Sequence, residues 1–244
     1  FYTNSANIFN KNGPVDDLLN FISHQIYNYF KHALKYPIDT PHTELWFLPD
    51  KHLYGTDTEC KQICKPVGKD GNMDEDETNK NGIPNIEPLT RGLSIKICNH
   101  EGFNKYNILI VHNTKLTYLG THINSKDVFK AFKNEKGQER IKLFAFENKK
   151  EISLAEQIKE FEKDSYKNGK SLIVLTGAKL RLGISLPCAD IAFNFDDIKS
   201  IDNNYQTMFR VLTERTKPEL KKYGYYLDFN KGRSVQFMYE YNKI

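Results

Sequence analysis

The sequence predicts an α/β fold in which a mainly parallel sheet is covered by helices on both faces. Short apolar runs recur along the chain, and the clearest are residues 171–176 (SLIVLT) and 189–195 (ADIAFNF). Runs of this length that are rich in Ile, Val and Leu are typical of strands buried on both faces. Helical patterns alternate with several of these runs, for example over residues 153–168. Strands that alternate with helices predict a doubly wound, mainly parallel sheet.

The composition is that of a globular chain without membrane spans. The 244 residues are 39% apolar and 27% charged, with a formal net charge of +4, which permits contact with phosphate but does not require it. No apolar run approaches the roughly 18 residues that a membrane helix needs, so we expect no membrane partner. Four cysteines are too few for a disulfide framework and favour a reducing, intracellular location. Because the chain does not begin with Met, we expect it to be part of a longer protein.

The N-terminal region, residues 1–42, is predicted to be an irregular arm followed by an amphipathic helix. Residues 1–14 are polar and end in a turn signal, whereas residues 15–36 carry apolar side chains at helical spacing. Pro37 ends the helical pattern. Two interpretations stay open: the helix packs on the sheet, or it binds a partner.

The remaining residues, 43–244, are predicted to form the α/β domain. Residues 44–48 (ELWFL) read as its first strand, and a polar stretch at about 50–85 reads as a mobile inserted loop. The other predicted elements are a helix over 89–98, a strand over 106–112, a short helix over 125–132, a strand over 141–146, a capped helix over 153–168, a helix from about 200 to 214 and a last strand over 225–229.

Two motifs on the C-terminal elements carry a resemblance to a known family. Thr176-x6-Gly183-Ile184-Ser185-Leu186-Pro187 resembles motif V of superfamily 2 helicases, and Gln206-x3-Arg210 on the next helix resembles the first half of motif VI. The sequence YQTMFRVLTE around Gln206 and the later predicted strand GYYLDFN are similar to those of helicases of large nucleocytoplasmic DNA viruses. The resemblance covers residues 172–230 and is to the C-terminal, second RecA-like domain.

The resemblance implies a RecA-like sheet and a role for each motif residue. Arg210 would be an arginine finger assisted by Gln206, and Gly183 and Ser185 would lie on the ATP side of an interdomain cleft. Thr176 and Gly177 would contact the nucleic-acid backbone. ATP and Mg²⁺ would be bound mainly by an N-terminal RecA-like domain that this chain lacks, so this segment alone is not expected to hydrolyse ATP.

Two positions depart from the family pattern. Ser185 stands where Asp or Asn is usual, and Thr213 stands where a second Arg is usual. Without the resemblance, the glycines read as turn residues and Arg210 as a solvated charge on a helix.

His112 and Asn113 end the predicted strand 106–112 and are further candidate nucleic-acid contacts. In a parallel sheet they share an edge with Thr176, where polar side chains suit phosphate. A simple strand-end turn explains them equally well.

No metal site is predicted. The acidic run 74–77 (DEDE) lies in a polar loop, and residues 169–171 (GKS) lack the first glycine and the strand-to-helix context of a P-loop. Cys60 and Cys64 have zinc-ligand spacing, with Cys98 and His100 as a weak second pair; zinc binding and unrelated cysteines both stay open.

The sequence therefore predicts the C-terminal motor domain of an ATP-dependent helicase or translocase that acts on DNA or RNA. If the protein is viral, we expect it in the host cytoplasm or the virion. The alternative is a non-catalytic RecA-like interaction or scaffold module. A nuclease would need clustered acids at strand ends, and Asp196 and Asp197 are the only such pair in the sequence.

Overall fold

A computed structural model describes residues 13–48, 88–111, 116–119, 153–177, 186, 189–196, 200–213 and 223–241. Several predictions lie outside these residues: most of the N-terminal arm, the polar insertion at about 50–85, the helix over 125–132 and the strand over 141–146.

The described residues form a six-stranded sheet in the order β3-β2-β4-β1-β5-β6. Five strands are parallel, and β3 runs antiparallel to β2 at one edge. The predicted doubly wound, mainly parallel α/β fold is therefore confirmed, and it is consistent with a RecA-like domain. The strands are β1 (Thr43–Phe47), β2 (Tyr106–Val111), β3 (Leu116–Leu119), β4 (Ser171–Thr176), β5 (Ile191–Asn194) and β6 (Tyr225–Asp228).

The central strand β1 lies where the order of the strands changes direction. It pairs with β4 on one side and with β5 on the other, so the chain crosses β1 between these two strands. Open α/β sheets bind ligands beside the carboxyl ends of strands where the strand order reverses in this way. All residues of β1, β2, β4 and β5 are buried, which explains their nearly continuous apolar runs.

The first face of the sheet is covered by the N-terminal helical region and by one later helix. These elements are α1 (Pro14–Asn20), a π-helical segment (Phe21–Ile26), α2 (Tyr27–His32) and α3 (Pro88–Asn99). The predicted helix over 15–36 packs on the sheet through Leu19 and Ile22, which are fully buried. It ends at His32 rather than at Tyr36, because Lys35 adopts a left-handed conformation with φ of 55°.

The second face is covered by α4 (Leu154–Lys167) and α5 (Ile201–Leu212). Ile158 and Val211 from these helices pack with Val174 and other strand residues in one apolar cluster. The capping box predicted for α4 is confirmed: the Ser153 hydroxyl accepts from Glu156 N at 3.3 Å, and the Glu156 carboxylate accepts from Ser153 N at 2.9 Å. The predicted boundaries of both helices agree with the structure to within two residues.

One strand and one α-helix were not predicted from the sequence. β3 lies in a stretch that gave no clear pattern, and α6 (Lys231–Tyr241) follows β6. α6 contacts β6 and α5, yet Val235, Met238 and Tyr239 are exposed on its outer side. Apolar residues on both sides of a helix obscure the amphipathic pattern by which helices are recognised.

Candidate functional site

Thr176 and Gly177 lie at the carboxyl edge of the sheet, where the resemblance places nucleic-acid contacts. Thr176 ends β4, and its carbonyl accepts from Leu48 N at 2.7 Å, which links the ends of β4 and β1. Its hydroxyl is buried and donates to Gly177 O at 3.3 Å. Gly177 is half-buried. The threonine therefore shapes the start of the loop, and a ligand at this edge would meet the backbone of Gly177.

Four other predicted site residues lie outside the described residues. They are His112 and Asn113, which follow β2, and Gly183 and Ser185, which belong to the motif V loop. Their proposed contacts with nucleic acid and with ATP stay predictions.

Gln206 and Arg210 share one side of α5, as their spacing predicts. Gln206 is exposed and Arg210 is half-buried. Burial lowers the pKa of Arg210 from its usual value, although a guanidinium stays charged at neutral pH. The helix begins after Ser200, whose hydroxyl accepts from Asn203 N at 3.4 Å as an N-cap. A cation held at the rim of a helix surface is suited to a phosphate ligand.

The structure places Arg210 and Thr176 at opposite edges of the sheet. α5 starts beyond the carboxyl end of β5 and ends against the chain that enters β6. A Cβ atom on Gly224 would lie 1.9 Å from Val211 O, so the last turn of α5 touches the residue just before β6. β6 begins at the amino edge, where Tyr225 pairs with Ile191. The finger candidate and the nucleic-acid candidates therefore do not form one cluster within this domain.

A buried ion-pair network that the sequence did not reveal lies at the carboxyl ends of β5 and β6. Arg233 on α6 donates to Asp196 through Nη1, and to Asp228 through Nε at 2.7 Å and Nη2 at 2.6 Å. All three side chains are almost fully buried. Burial alone would lower the pKa of Arg233, but the hydrogen bonds to Asp228 and the charges of both carboxylates raise it above its usual value.

The same network bears on the nuclease alternative. Asp196 is committed to Arg233 and is not available to a metal ion, while Asp197 lies outside the described residues. Among the residues that the structure describes, no group of three or more His, Cys, Asp or Glu side chains could hold a metal ion.

A second buried network joins β5, β6 and α5. Asn194 Nδ2 donates to Tyr226 OH at 2.6 Å, and Tyr226 OH donates to Asn204 Oδ1 on α5. Asn194 Oδ1 accepts from Asp196 N at 3.3 Å, which connects this network to the ion pairs of Arg233. Asn194 and Asn204 are buried, and burial raises the pKa of the Tyr226 phenol.

At the amino edge, the Glu44 carboxylate is a fully buried acceptor for four side chains. It accepts from Tyr27 OH at 2.8 Å, His42 Nε2 at 3.0 Å, Tyr106 OH at 3.1 Å and Trp46 Nε1 at 2.8 Å. His42 Nδ1 also lies 2.8 Å from the carbonyl of Thr40. Both ring nitrogens therefore face acceptors, which favours the imidazolium form of His42 and a buried ion pair with Glu44. The group joins α2, β1 and β2, and all five side chains are buried, with Tyr27 at 8% and Tyr106 at 7% the most exposed.

The residues of the weak second zinc pair are engaged in structural contacts. Cys98 is buried and is not part of a disulfide. His100 Nδ1 accepts from Gly102 N at 3.1 Å, and His100 Nε2 lies 3.1 Å from Asn20 Oδ1. Both ring nitrogens of His100 are thus hydrogen-bonded within the fold. This favours the interpretation that Cys98 and His100 are unrelated to zinc binding. Cys60 and Cys64 lie outside the described part of the chain.

Comparisons with known proteins give limited similarity. No family model matches the chain, and no solved structure matches it. A Mycoplasma pneumoniae protein named as the C-terminus of a candidate type II restriction enzyme and methyltransferase is 33% identical over 82 residues. That stretch is 33% of this chain and 11% of the relative, so the chain matches only a small part of the relative's length. Within the described residues, no helix is both long and apolar enough to cross a membrane.

Proposed function

We propose that this chain is the C-terminal motor domain of an ATP-dependent nucleic-acid helicase or translocase. It would contribute motifs V and VI to an ATP cleft shared with an N-terminal RecA-like domain of the same polypeptide. The superfamily 2 resemblance of residues 172–230 is the basis of this proposal.

One structural observation supports the proposal most directly. Thr176 ends a central parallel strand, the chain then crosses β1 to reach β5, and the helix that follows presents Gln206 and Arg210 on one side. The two motifs thus stand on the strand, loop and helix that their family order requires. Gln206 and Phe209 are exposed on α5, and this side of the helix would face a second domain.

Each motif residue then has a definite task. Arg210 would hold its guanidinium against the charge that develops during phosphoryl transfer, and Gln206 would support it. Gly183 and Ser185 would border the nucleotide, while Thr176, Gly177, His112 and Asn113 would follow the nucleic-acid backbone. Bound ATP with Mg²⁺, held mainly by the other domain, supplies the phosphoryl group that is transferred to water.

DNA is favoured over RNA as the nucleic acid. The Mycoplasma relative is named as a restriction enzyme and methyltransferase, and both of those activities act on DNA. We therefore propose that the parent chain moves on DNA.

The alternative is a non-catalytic RecA-like scaffold module. Ser185 and Thr213, which replace residues typical of motifs V and VI, favour it. A scaffold does not depend on the charge of Arg210, whereas a finger does.

The test uses the longest natural chain that contains this segment. DNA-stimulated ATP hydrolysis would be measured for the wild type, Arg210→Ala and Arg210→Lys, with Lys159→Ala as a control that removes an exposed charge from α4. If Arg210 is a finger, Arg210→Ala should lower kcat by about a hundredfold or more with nucleotide binding retained. Arg210→Lys should restore little of this activity, because Lys lacks the planar guanidinium of Arg.

Two results would contradict the motor assignment. If the wild type is active and Arg210→Ala matches it, Arg210 is structural. If the wild type neither binds nor hydrolyses ATP, the scaffold alternative takes precedence.

A further inference from the structure

Helix α5 is held on the sheet by a polar contact near its start. Asn204, in the first turn, accepts from Tyr226 OH, and Asn194 Nδ2 lies 3.5 Å from the same Asn204 oxygen. Asn194 and Asn204 have exposed fractions of 1% and 4%. A buried amide oxygen that lost both of these partners would be left unsatisfied, at a cost of about 1–3 kcal/mol. The rotation of α5 about its axis is therefore tied to two strands.

A steric contact holds the other end of the helix. Gly224 approaches the carbonyl of Val211 so closely that a Cβ atom would also lie 2.6 Å from Val211 C. Only a residue without a side chain allows the strand entry to pass at this distance. Val211 directly follows Arg210, so this contact fixes the turn of α5 that carries the guanidinium.

Burial of one face of α5 does not by itself require either the Asn204–Tyr226 hydrogen bond or the close approach of Gly224 to Val211. An apolar pair would fill the space of Tyr226 and Asn204, as Val211 does elsewhere on the same face of α5. A satisfied buried network adds orientation, because a rotated helix would break its hydrogen bonds, whereas an apolar contact tolerates small shifts. The two contacts together set both the rotation and the position of α5.

We propose that Asn204, Tyr226 and Gly224 are positioning residues that set α5 so that Gln206 and Arg210 project correctly at the amino edge of the sheet. The inference rests on the proposed function, since it gives Arg210 a reaction to serve. These three residues would touch neither ATP nor nucleic acid. They act through the helix, and misplacement of a catalytic group by about 1 Å can cost up to a hundredfold in rate.

The positioning contacts also reach the opposite edge of the domain. Asn194 accepts from Asp196 N, and Asp196 pairs with Arg233 at the carboxyl ends of β5 and β6. The carboxyl edge is where the nucleic-acid contacts are proposed. The network therefore forms a continuous chain of hydrogen bonds from that edge to the helix that carries Arg210.

The first experiment measures DNA-stimulated ATPase in the longest natural chain. Tyr226→Phe removes one hydroxyl from the network, and Tyr166→Phe is the matched control, since Tyr166 OH lies 3.0 Å from Thr43 Oγ1 and belongs to α4. We expect Tyr226→Phe to lower kcat by about tenfold to a hundredfold with KM for ATP nearly unchanged. The control should stay within about twofold of the wild type.

A double variant tests whether Tyr226 acts through Arg210. In an Arg210→Ala background, Tyr226→Phe should cause no further loss, because the group that it positions is already absent. An additive loss, or an equal loss in Tyr166→Phe, would overturn the positioning role and indicate general destabilisation.

A second measurement does not depend on activity. Hydrogen exchange of α5 amides would be compared in the wild type, Tyr226→Phe, Gly224→Ala and Tyr166→Phe. We expect the α5 amides to exchange faster than in the wild type in Tyr226→Phe and Gly224→Ala, and not in Tyr166→Phe. The last turn of α5 should be most affected by Gly224→Ala. Unchanged exchange would overturn the inference. An inactive wild type with the expected exchange would reject the proposed function and leave α5 as a helix held in place for another purpose.

Discussion

At the residue scale, the buried His42–Glu44 pair makes a pH-dependent contribution to stability. Burial alone would lower the pKa of His42, but the hydrogen bond and the charge of Glu44, helped by Thr40 O and Asp190, raise it above its usual value of 6.5. A raised pKa means that the folded state binds the proton more tightly than the unfolded chain. The stabilisation is fully present below about pH 6.5 and is lost as the pH rises through the folded-state pKa.

We therefore expect the free energy of unfolding to fall as the pH rises above about 6.5. Urea unfolding at several pH values would measure this, with His42→Gln for comparison. The difference in stability between wild type and variant should be largest at low pH and should narrow as His42 loses its proton. A difference that is constant from pH 6 to pH 9 would show that His42 is not an imidazolium in the folded protein.

The buried networks of Glu44 and Arg233 could not be predicted from the sequence, because some of their partners are far apart along the chain. Glu44 is 62 residues from Tyr106 along the chain, and Asp196 is 37 residues from Arg233. Nothing in the local pattern around Arg233 distinguishes a buried bridge from a solvated charge. Arg210, by contrast, is a candidate because its spacing from Gln206 matches a local motif. The sequence therefore proposes residues that belong to a local motif and misses contacts that depend on the tertiary structure.

At the element scale, α4 was predictable because its start and its end are both encoded locally. Ser153 and Glu156 form the capping box, and Gly169 has φ of 67° just beyond the C-terminus. α6 carries no such complete signal, and it is held partly by Arg233, which pairs with Asp228 five residues away and with Asp196 37 residues away. β3 is a strand of only four residues at the sheet edge, and so short a run offers little pattern to detect.

Substitution of Gly169 measures how much the left-handed backbone at the end of α4 contributes to stability. A Cβ atom added there would meet no atom within 4 Å, so Gly169→Ala should destabilise the fold only through its left-handed backbone, by about 1–2 kcal/mol. Gly169→Asn should cost less, because Asn adopts this conformation more readily than Ala. Urea denaturation would compare the three proteins. Equal stability of the Ala variant and the wild type would mean that the chain ends α4 in another way.

At the scale of the whole domain, the two candidate regions lie at opposite edges of one rigid sheet. β4 has six residues, so about 20 Å of strand separates the edges. The Debye length at physiological salt is about 8 Å. A charge removed at the amino edge should thus have little electrostatic effect on nucleic acid bound at the carboxyl edge.

This separation predicts that DNA binding and ATP turnover respond to different substitutions. Binding of a fluorescent single-stranded DNA to the longest natural chain, without nucleotide, should be nearly the same for Arg210→Ala as for the wild type and for Lys159→Ala. His112→Ala should weaken binding, because it removes a proposed backbone contact. If Arg210→Ala weakened binding about tenfold while His112→Ala did not, the amino edge would be the DNA-binding edge. Arg210 would then be a phosphate contact, and the charge stabilisation proposed for it would have to come from another residue.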